Sequence, residues 1–554
     1  MLLRSVRIGN FRALTSAAIQ FDPTTVLIGE NDCGRSSILE ALAIVLGWNA
    51  ADGEFRFQSF HLHRSARHTG QALPPISVAL EFAESFDGEW DGPAFEILHA
   101  ILPGHHAKRR LDLEVTHDPA TGTRWTFHSP GGGSTRNDGA MLKWLRGRMP
   151  VVWLSEGMMG GKAVAKPLDP LDGTTNALAG EVRTYHKNLL GGRVPDVAAA
   201  IDAGAAAARQ LLHARSDLLT DEVGSLGAVL QEITGKKRPR STTLPKPVPD
   251  SGMAAQKLGL LLVVGALLRS RETRIQHGMD PLTIIENPEA HLHPVTLASV
   301  WRIIEQVAGQ KIVATHSAML LASARLASVR RLTRRDGVVR AWSVPEGALD
   351  ADELRRYSYH LRSRRATASF ARCWLLVEGE TEFWLMGELA RLCGYDFASE
   401  AVACVEFAQC GLGALIKVAR HLGIAWHLLS DGDRAGQIYA RAAGGVGAHV
   451  TLLKEPDMEH CFWKYGFADV FYKAAFPNPS TAPGKVTPNA VIKRAIERHS
   501  KPNLAIRLLD ALIDRGPAAV PPPLRNVIET CIRLARGDAA RRAAAGPGDF
   551  STPA

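Results

Sequence analysis

Two short apolar runs, far apart in the chain, each end in carboxylates. One run precedes Glu378, and the other, much later, precedes Asp431 and Asp433. A helical pattern follows each run, which is typical of a parallel α/β sheet. Ligands bind beyond the carboxyl ends of such strands, so we expect these side chains to meet at one edge, with Glu382 one helical turn after Glu378. Crowded carboxylates need a cation, and Mg²⁺ or Mn²⁺ prefers oxygen ligands. The pattern predicts a metal site for phosphodiester chemistry.

The length and composition indicate a large globular protein of several domains. The chain has 554 residues, whereas a single hydrophobic core rarely grows beyond about 250–300 residues. Its 46% hydrophobic and 22% charged residues are ordinary for a globular protein. A net charge of +9 favours an acidic partner such as nucleic acid, although many basic proteins bind none.

The cysteines and apolar runs favour a cytoplasmic protein. The seven cysteines form no C-x-x-C pair, which argues against zinc and against a disulfide framework. The N-terminus shows no signal peptide pattern. The longest apolar run, 258–268, is too short to span a bilayer and predicts a buried helix. We therefore expect no membrane segment.

A glycine-rich segment near the N-terminus has the spacing of a phosphate-binding loop. Residues 29–37 fit G-x-x-x-x-G-K-[ST] except for the lysine, and they lie between a predicted strand and a predicted helix. The glycines let backbone N–H groups turn toward phosphate, and the helix N-terminus adds positive potential. Arg35 keeps the charge, but its planar fork does not reach phosphates as an ammonium does. We predict nucleotide binding, with a purely structural loop as the alternative. The predicted nucleotide contacts are Gly29, Asn31, Gly34, Arg35, Ser36 and Ser37, with Ser36 on Mg²⁺.

Further segments of this half resemble ABC-type ATPases of the SMC-like branch. Residues 282–294, with Glu286 at the end of a predicted strand, resemble the Walker B and D-loop region. Residues 250–256 resemble the signature motif, and residues 314–317 resemble the H-loop. The resemblance implies that Glu286 holds Mg²⁺ and that His316 senses the γ-phosphate. It also implies that Ser251 and Gly252 cap a nucleotide in a partner subunit and that Arg12 contacts nucleotide.

Asn287 departs from that family pattern. It lies where the family usually has a carboxylate that orients the attacking water, and an amide cannot accept the proton. Together with Arg35, this leaves ATP binding without efficient hydrolysis as an open alternative.

The second half resembles the Toprim fold of topoisomerases, primases and OLD-family (overcoming lysogenisation defect) nucleases. Its marks are Glu378 after one strand and the D-x-D of Asp431 and Asp433 after another. An ABC-like ATPase followed by a Toprim unit is the layout of the OLD family, and the chain is most similar to the endonuclease branch of about this length. The resemblance implies two-metal phosphodiester cleavage. The implied metal ligands are Glu378, Glu382, Ser430, Asp431, Asp433 and Glu459, and the implied catalytic residues are Glu378, Asp431, Asp433 and Lys501. Lys501 could instead be an ordinary exposed lysine.

These inferences give an α/β fold: an ABC-type P-loop ATPase domain with a helical insert, then a Toprim α/β domain. We expect the ATPase domain at 1–365 with its insert at about 165–245, and the Toprim domain at 370–480. A helical extension at 481–536 and a disordered tail at 537–554 follow. DNA is the expected substrate. The basic segments 236–240 and 361–365 are candidate phosphate contacts, with ordinary solvated charge runs as the alternative.

Two ABC-like half-sites complete each other, so we expect a homodimer that uses ATP with Mg²⁺ at the P-loop and two Mg²⁺ or Mn²⁺ ions at the Toprim site. The resemblance leaves room for a partner protein, and both phage defence and DNA repair fit it. One alternative is a nucleotide-gated DNA-binding protein without nuclease turnover. Another is an enzyme that acts on small phosphoesters, which the positive charge disfavours mildly.

Overall fold

The chain divides into two units, Met1–Ser343 and Val344–Ala554, in the computed structural model. The structure describes residues 1–47, 55, 57–63, 73–102, 109–149, 151–154, 280–290, 297–359 (except 298, 299, 303, 306 and 308), 366–477 and 486–537. Several predicted features lie outside these residues: the insert at 165–245, Ser251 and Gly252, the apolar run 258–268, the basic segments 236–240 and 361–365, and all but the first residue of the tail.

The first unit is built on a mixed sheet. Its strands are β1 (Leu2–Phe11), β2 (Leu14–Gln20), β3 (Thr24–Gly29), β4 (Ile76–Ala83), β5 (Arg110–Asp118), β6 (Gly122–His128), β7 (Ser134–Arg136), β8 (Val151–Leu154), β9 (Leu282–Glu286), β10 (Gln310–Ala314), β11 (Val329–Arg335) and β12 (Val338–Trp342). Within the described ranges their order is β7-β6-β5-β4-β1-β2-β12-β11-β3-β10-β9-β8. The strand predicted to end at Glu286 is confirmed as β9.

A parallel block within this sheet carries the predicted nucleotide residues. Strand β3 pairs in parallel with β10 and β11, β10 with β9, and β9 with β8. Helix α1 (Arg35–Val45) follows β3 and buries Ile38, Leu39 and Leu42, whose three- and four-residue spacing places them on one helical face. Helices α2 (Gly139–Arg148) and α3 (Ala318–Ser323) also belong to this unit.

The second unit contains a four-stranded parallel sheet. Its strands are β13 (Cys373–Val377), β14 (Val402–Glu406), β15 (Ala425–Ser430) and β16 (Val450–Leu452), in the order β14-β13-β15-β16. Every residue of β13 is fully buried, as expected of a parallel strand covered on both faces. The helices are α4 (Ala351–Tyr357), α5 (Glu380–Leu392), α6 (Leu412–His421), α7 (Arg434–Ala442), α8 (Met458–Phe462), α9 (Ala468–Ala475), α10 (Pro488–His499), α11 (Lys501–Arg515) and α12 (Pro522–Arg536).

The C-terminal helices share the core of this second unit. Leu504, Leu508 and Leu512, spaced four residues apart on α11, are buried where α11 packs against α5. Helix α12 packs on β13 and β15. The extension predicted at 481–536 is therefore helical but lies within the same unit as the Toprim-like sheet.

The chain passes from the first unit to the second at Ser343, ahead of the boundary predicted at 365. Helix α4 belongs to the second unit because it packs on α6, where Lys417 Nζ lies 2.8 Å from Glu353 Oε1. No helix in the described part of the chain is long and apolar enough to cross a membrane.

Candidate functional site

The parallel sheet of the second unit brings Glu378 and Asp431 to the same edge. Strands β13 and β15 are direct neighbours, with Leu376 opposite Leu428. Glu378 comes directly after β13, and Asp431 comes directly after β15. The two carboxylates therefore leave adjacent strands in the same direction, as the apolar runs predicted.

Glu382 is held in the first turn of α5 and faces inward. Its Oε2 accepts a hydrogen bond from the backbone N–H of Gly379 at 3.1 Å, and the residue is 7% exposed. Burial raises its pKa, and the negative charge of Glu378 raises it further. A capped helix start thus places a buried carboxylate beside Glu378.

Ser430 and Asp433 both have partners at the start of α7. The Ser430 hydroxyl donates to the Gly436 carbonyl at 3.1 Å and is almost completely buried. Asp433 Oδ1 accepts the Gly436 N–H at 2.7 Å, which makes it the N-cap of the helix. Both residues therefore stabilise the loop that carries Asp431, and their roles as metal ligands stay predictions.

Asp431 lies at the electrostatic centre of the cluster. Its pKa is raised to about 8, mainly by burial and further by the negative charges of Glu382, Glu378, Asp457 and Glu459. Burial, followed by the charge of Asp433, likewise raises the pKa of Glu378. Carboxylates packed this closely favour bound protons or a cation. This is the electrostatic pattern expected of a cation site.

Asp457 is a further member of this cluster, one that was not predicted as a metal ligand or a catalytic residue. Its Oδ1 accepts the backbone N–H of His460 at 2.8 Å and lies 2.6 Å from His460 Nδ1. His460 Nε2 lies 2.9 Å from Asn489 Oδ1 on α10. In the sequence, residues 457–460 resemble the later acidic motif of the OLD family, and Glu459 is the one residue of this segment that was predicted as a ligand.

Lys501 lies within the cluster. Its Nζ is 3.4 Å from Glu459 Oε1, and the Glu459 side chain is 2% exposed. The ammonium lowers the pKa of Glu378, Glu382 and Glu459 against the larger effect of burial. Burial by itself would lower the pKa of Lys501. The negative charges of Glu459, Asp457 and Glu382 outweigh the effect of burial, so the pKa of Lys501 is raised. The structure thus brings Lys501 to the carboxylates, as the family resemblance implied.

The donor chemistry of the cluster fits a divalent cation, although no ligand cage is formed in advance. Glu378 Oε2 and Glu459 Oε2 are buried without a hydrogen-bond partner, whereas Glu459 Oε1 has its ion pair with Lys501. Acidic oxygens left without donors are suitable ligands for Mg²⁺ or Mn²⁺. However, no group of three or more histidine, cysteine, aspartate or glutamate side chains among the described residues is gathered closely enough to hold a metal ion. The predicted pair of ions stays a prediction.

The glycine-rich loop of the first unit follows β3 as predicted. Gly29 has φ 156°, and a Cβ there would lie 2.6 Å from the Leu332 carbonyl, so only glycine fits. Gly34 adopts the left-handed conformation directly before α1. Asn31 is exposed in the loop, Ser37 is half-buried in α1, and Ser36 donates a short hydrogen bond to the Glu286 carboxylate. Two predicted Mg²⁺ ligands, Ser36 and Glu286, therefore face each other.

Arg35 does not extend over the loop. Its Nη1 donates to the Thr315 carbonyl at 2.9 Å, and its Nη2 contacts the imidazole of His316, with Nδ1 at 2.9 Å. The residue is only 8% exposed. Burial lowers the pKa of His316, and the charge of Arg35 lowers it further. Two side chains predicted to bind phosphate are therefore bound to each other.

Glu289 is a second residue that sequence reasoning missed. It accepts the Thr315 hydroxyl at 2.9 Å and the backbone N–H of His316 at 2.6 Å. Its spacing three residues after Glu286 could have drawn attention to it. Arg12, by contrast, pairs with the Glu40 carboxylate on α1, and its nucleotide contact stays a prediction.

Comparisons with known proteins agree with this two-part organisation. Residues 1–368 match a family model described as a protein of unknown function (DUF2813). Residues 370–433 match the TOPRIM domain model of overcoming lysogenization defect protein-like sequences. The chain is 31% identical to the uncharacterized protein YbjD of Escherichia coli, over 97% of this chain and 100% of that protein. It is 25% identical to the OLD nuclease of Thermus scotoductus, over 78% of this chain and 82% of that protein.

Solved structures show only weak overall similarity. An SMC head bound to the C-winged helix domain of ScpA has a TM-score of 0.38 at 15% identity and covers 63% of this chain and 98% of its own. The C-terminal region of the Burkholderia pseudomallei OLD protein has a TM-score of 0.25 at 18% identity. It covers 30% of this chain and 98% of its own. The family assignment rests on the sequence matches.

The fold and the sequence matches define an α/β protein with a DUF2813 region in its N-terminal part, followed by an OLD-like Toprim domain. This confirms the predicted α/β fold class. The chain belongs to the DUF2813 family and is an OLD-family protein.

Proposed function

We propose that this protein is a metal-dependent DNA endonuclease that nicks or cleaves phosphodiesters. The observation that carries the proposal is the coupled acidic cluster, in which burial and neighbouring carboxylates raise the pKa of Asp431 to about 8. Such perturbed groups concentrate at functional sites. The OLD nuclease relative and the OLD-like Toprim match support the same class of activity.

The carboxylates and the lysine have complementary roles in this proposal. Glu378, Glu382, Asp431, Asp433 and Glu459 would hold the divalent ions, and Asp457 keeps the segment before α8 in place. When bound, two Mg²⁺ or Mn²⁺ ions supply Lewis-acid activation of water and of the phosphate. Lys501 offsets negative charge on the phosphate that enters the site.

We further propose that the first unit binds ATP with Mg²⁺ and regulates the nuclease. Ser36 and Glu286 would hold the Mg²⁺, because their side chains already lie next to each other. Asn287 supplies no general base, so hydrolysis is weak or absent. The remaining parts of the proposal are a homodimer, in which Ser251 and Gly252 cap the partner subunit's nucleotide, and a cytoplasmic location.

A nucleotide-gated DNA-binding protein without nuclease turnover is the second candidate. The observation that favours it is that the acidic side chains, within the described ranges, are not gathered closely enough to hold an ion. It accounts for the basic charge of the chain equally well. It does not account for the buried Glu378 oxygen that lacks a hydrogen-bond donor.

Nicking of supercoiled plasmid with Mg²⁺ or Mn²⁺ separates the two candidates. We expect the wild type to nick, Asp431→Asn to lose nicking by about a hundredfold or more, and Asp510→Asn, an exposed aspartate on α11, to retain it. Plasmid binding is measured in parallel. A wild type that binds DNA and never nicks it would favour the second candidate, and equal nicking by Asp431→Asn would reject this site.

A further inference from the structure

Arg35, Thr315, His316 and Glu289 form a continuous polar network between the phosphate-binding loop and the strand end after β10. Arg35 is the first residue of α1, and Thr315 and His316 directly follow β10. The Arg35 guanidinium donates to the Thr315 carbonyl and contacts the His316 ring. Glu289 holds the opposite side of the same segment through the Thr315 hydroxyl and the His316 N–H. The network therefore fixes the start of α1 to the segment that carries His316.

We propose that Arg35 is a specificity residue that opposes nucleoside triphosphate binding. In the nucleotide-free protein it acts as a latch: it holds His316 and the Thr315 carbonyl instead of offering its charge to phosphate. A triphosphate that reaches His316 must first displace the guanidinium. This inference rests on the nucleotide site of the proposed function and adds a penalty that the usual lysine would not impose.

The chemistry of the guanidinium explains why lysine would behave differently. Arginine presents several donors in a rigid planar fork, so one side chain can hold a carbonyl and an imidazole together. Lysine carries one compact ammonium on a flexible stem, and it readily turns toward a single phosphate. At position 35, where the side chain is only 8% exposed, the fork has found two protein partners. A lysine would hold the two partners less firmly, because its donors share one nitrogen at the end of a flexible stem.

Only molecules with an open latch bind nucleotide. The apparent affinity for nucleotide is therefore the intrinsic affinity multiplied by the fraction of molecules in which the latch is open. A latch closed in about nine molecules of ten weakens nucleotide binding by about tenfold, since only the open state binds. The penalty applies to nucleotides whose terminal phosphate reaches His316. A nucleoside monophosphate, which is too short to reach the histidine, should be indifferent to it.

Binding of fluorescent ATP and AMP analogues with Mg²⁺ to the full-length protein tests this inference. We expect Arg35→Lys to bind the ATP analogue about tenfold more tightly than the wild type and to bind the AMP analogue unchanged. Arg35→Gln removes the charge altogether and should lose no affinity for ATP if Arg35 is a latch. The control is Arg7→Lys, an exposed arginine on β1, which should change neither value.

The opposite results would overturn the latch. If Arg35 were itself a phosphate ligand, Arg35→Gln would bind ATP more weakly than the wild type, and Arg35→Lys would show no gain. Thermal unfolding distinguishes these results from a folding defect. If Arg35 is a latch, Arg35→Lys should melt at a lower temperature than the wild type without nucleotide, and ATP should raise its melting temperature by more than that of the wild type. If neither the wild type nor Arg35→Lys binds ATP, both the latch and the proposed nucleotide site are wrong. The proposed nuclease activity is tested separately, because the plasmid nicking assay contains no nucleotide.

Discussion

Lys501 Nζ lies 3.4 Å from Glu459 Oε1, which joins the first residue of α11 to a carboxylate that is 2% exposed. The C-terminal helices therefore contribute charge to the acidic cluster as well as apolar side chains to the core. An ion pair with one buried partner is costly to break, because the remaining carboxylate is left without its counter-charge.

Replacing this lysine should impair the proposed nuclease. In Lys501→Ala the pKa of Glu378, Glu382 and Glu459 should rise further, since Lys501 lowers all three. Removing the ammonium also removes a positive charge that competes with a metal ion for these carboxylates, so Mn²⁺ affinity should not fall. We expect plasmid nicking to fall by about a hundredfold, as when a group that stabilises transition-state charge is removed. Nicking rate and Mn²⁺ titration by calorimetry measure the two effects.

Lys493→Ala is the matched control, because Lys493 on α10 is 79% exposed and, among the described residues, pairs with Glu497 one turn away. It should leave nicking and Mn²⁺ affinity unchanged. Equal behaviour of the two alanine variants would mean that Lys501 is an ordinary surface lysine.

The loop that carries Asp431 should tolerate no side chain at Gly432. The Gly432 N–H donates to the Glu455 carbonyl at 2.9 Å, and a Cβ at this position would lie 2.4 Å from that oxygen and 2.5 Å from the Leu453 carbonyl. Both obstacles are backbone atoms, so Gly432→Ala must separate the two segments. We expect a loss of about 1–3 kcal/mol in stability, as for other overpacked sites, together with loss of nicking.

Gly413→Ala provides the comparison, because a Cβ there meets nothing within 4 Å and the residue lies within α6. Alanine should be neutral or slightly stabilising in a helix. Thermal unfolding and plasmid nicking of the two variants measure the contrast. Full nicking by Gly432→Ala would show that the position of this backbone does not matter to the site.

The elements that hold the site could be predicted because their signals are local. Five buried apolar residues before Glu378 identify a parallel strand, and the glycine spacing around α1 identifies a loop and a helix start. Strand β9 ends at Glu286, as predicted, for the same reason. Once two such strands are taken as neighbours, the meeting of Glu378 with Asp431 follows from the geometry of a parallel sheet.

The residues that escaped prediction depend on packing between distant segments. Asp457 joins the cluster because α8 and α10 bring His460 and Asn489 together, and no local pattern indicates that contact. The direction of Arg35 depends on the position of His316, which is distant in sequence. A motif identifies which residue is present, but only the fold determines which partner its side chain reaches.

The interface between α11 and α5 should be essential to the stability of the second unit. Leu508 on α11 is 1% exposed within this core. Leu508→Ala removes buried carbon atoms from a packed interface and should cost about 2–5 kcal/mol. Hydrogen exchange in peptides from α5 and α11 of the full-length protein measures the loss. The exposed neighbour Arg507→Ala should change stability by less than about 0.5 kcal/mol, and similar effects of both variants would contradict this packing.

His427 should make the second unit sensitive to acid. It lies in β15, is 2% exposed, and its Nε2 lies 2.9 Å from Thr451 Oγ1. Burial lowers its pKa from 6.5 to about 4, so the folded protein keeps the ring neutral where the unfolded chain is protonated. The unfolded state therefore binds more protons between these two values, and stability falls as the pH drops through that window. Between pH 8 and pH 5 the loss from this one group is about 2 kcal/mol.

A glutamine at position 427 cannot take up a proton, so His427→Gln should remove this part of the acid sensitivity, even if it lowers stability at pH 8. Hydrogen exchange in peptides that span β15 and β16, measured at both pH values, reports the difference directly. His421→Gln, a half-buried histidine at the end of α6, should keep the acid sensitivity of the wild type. If the glutamine variant at 427 still loses as much stability on acidification as the wild type, the buried neutral imidazole is not the cause.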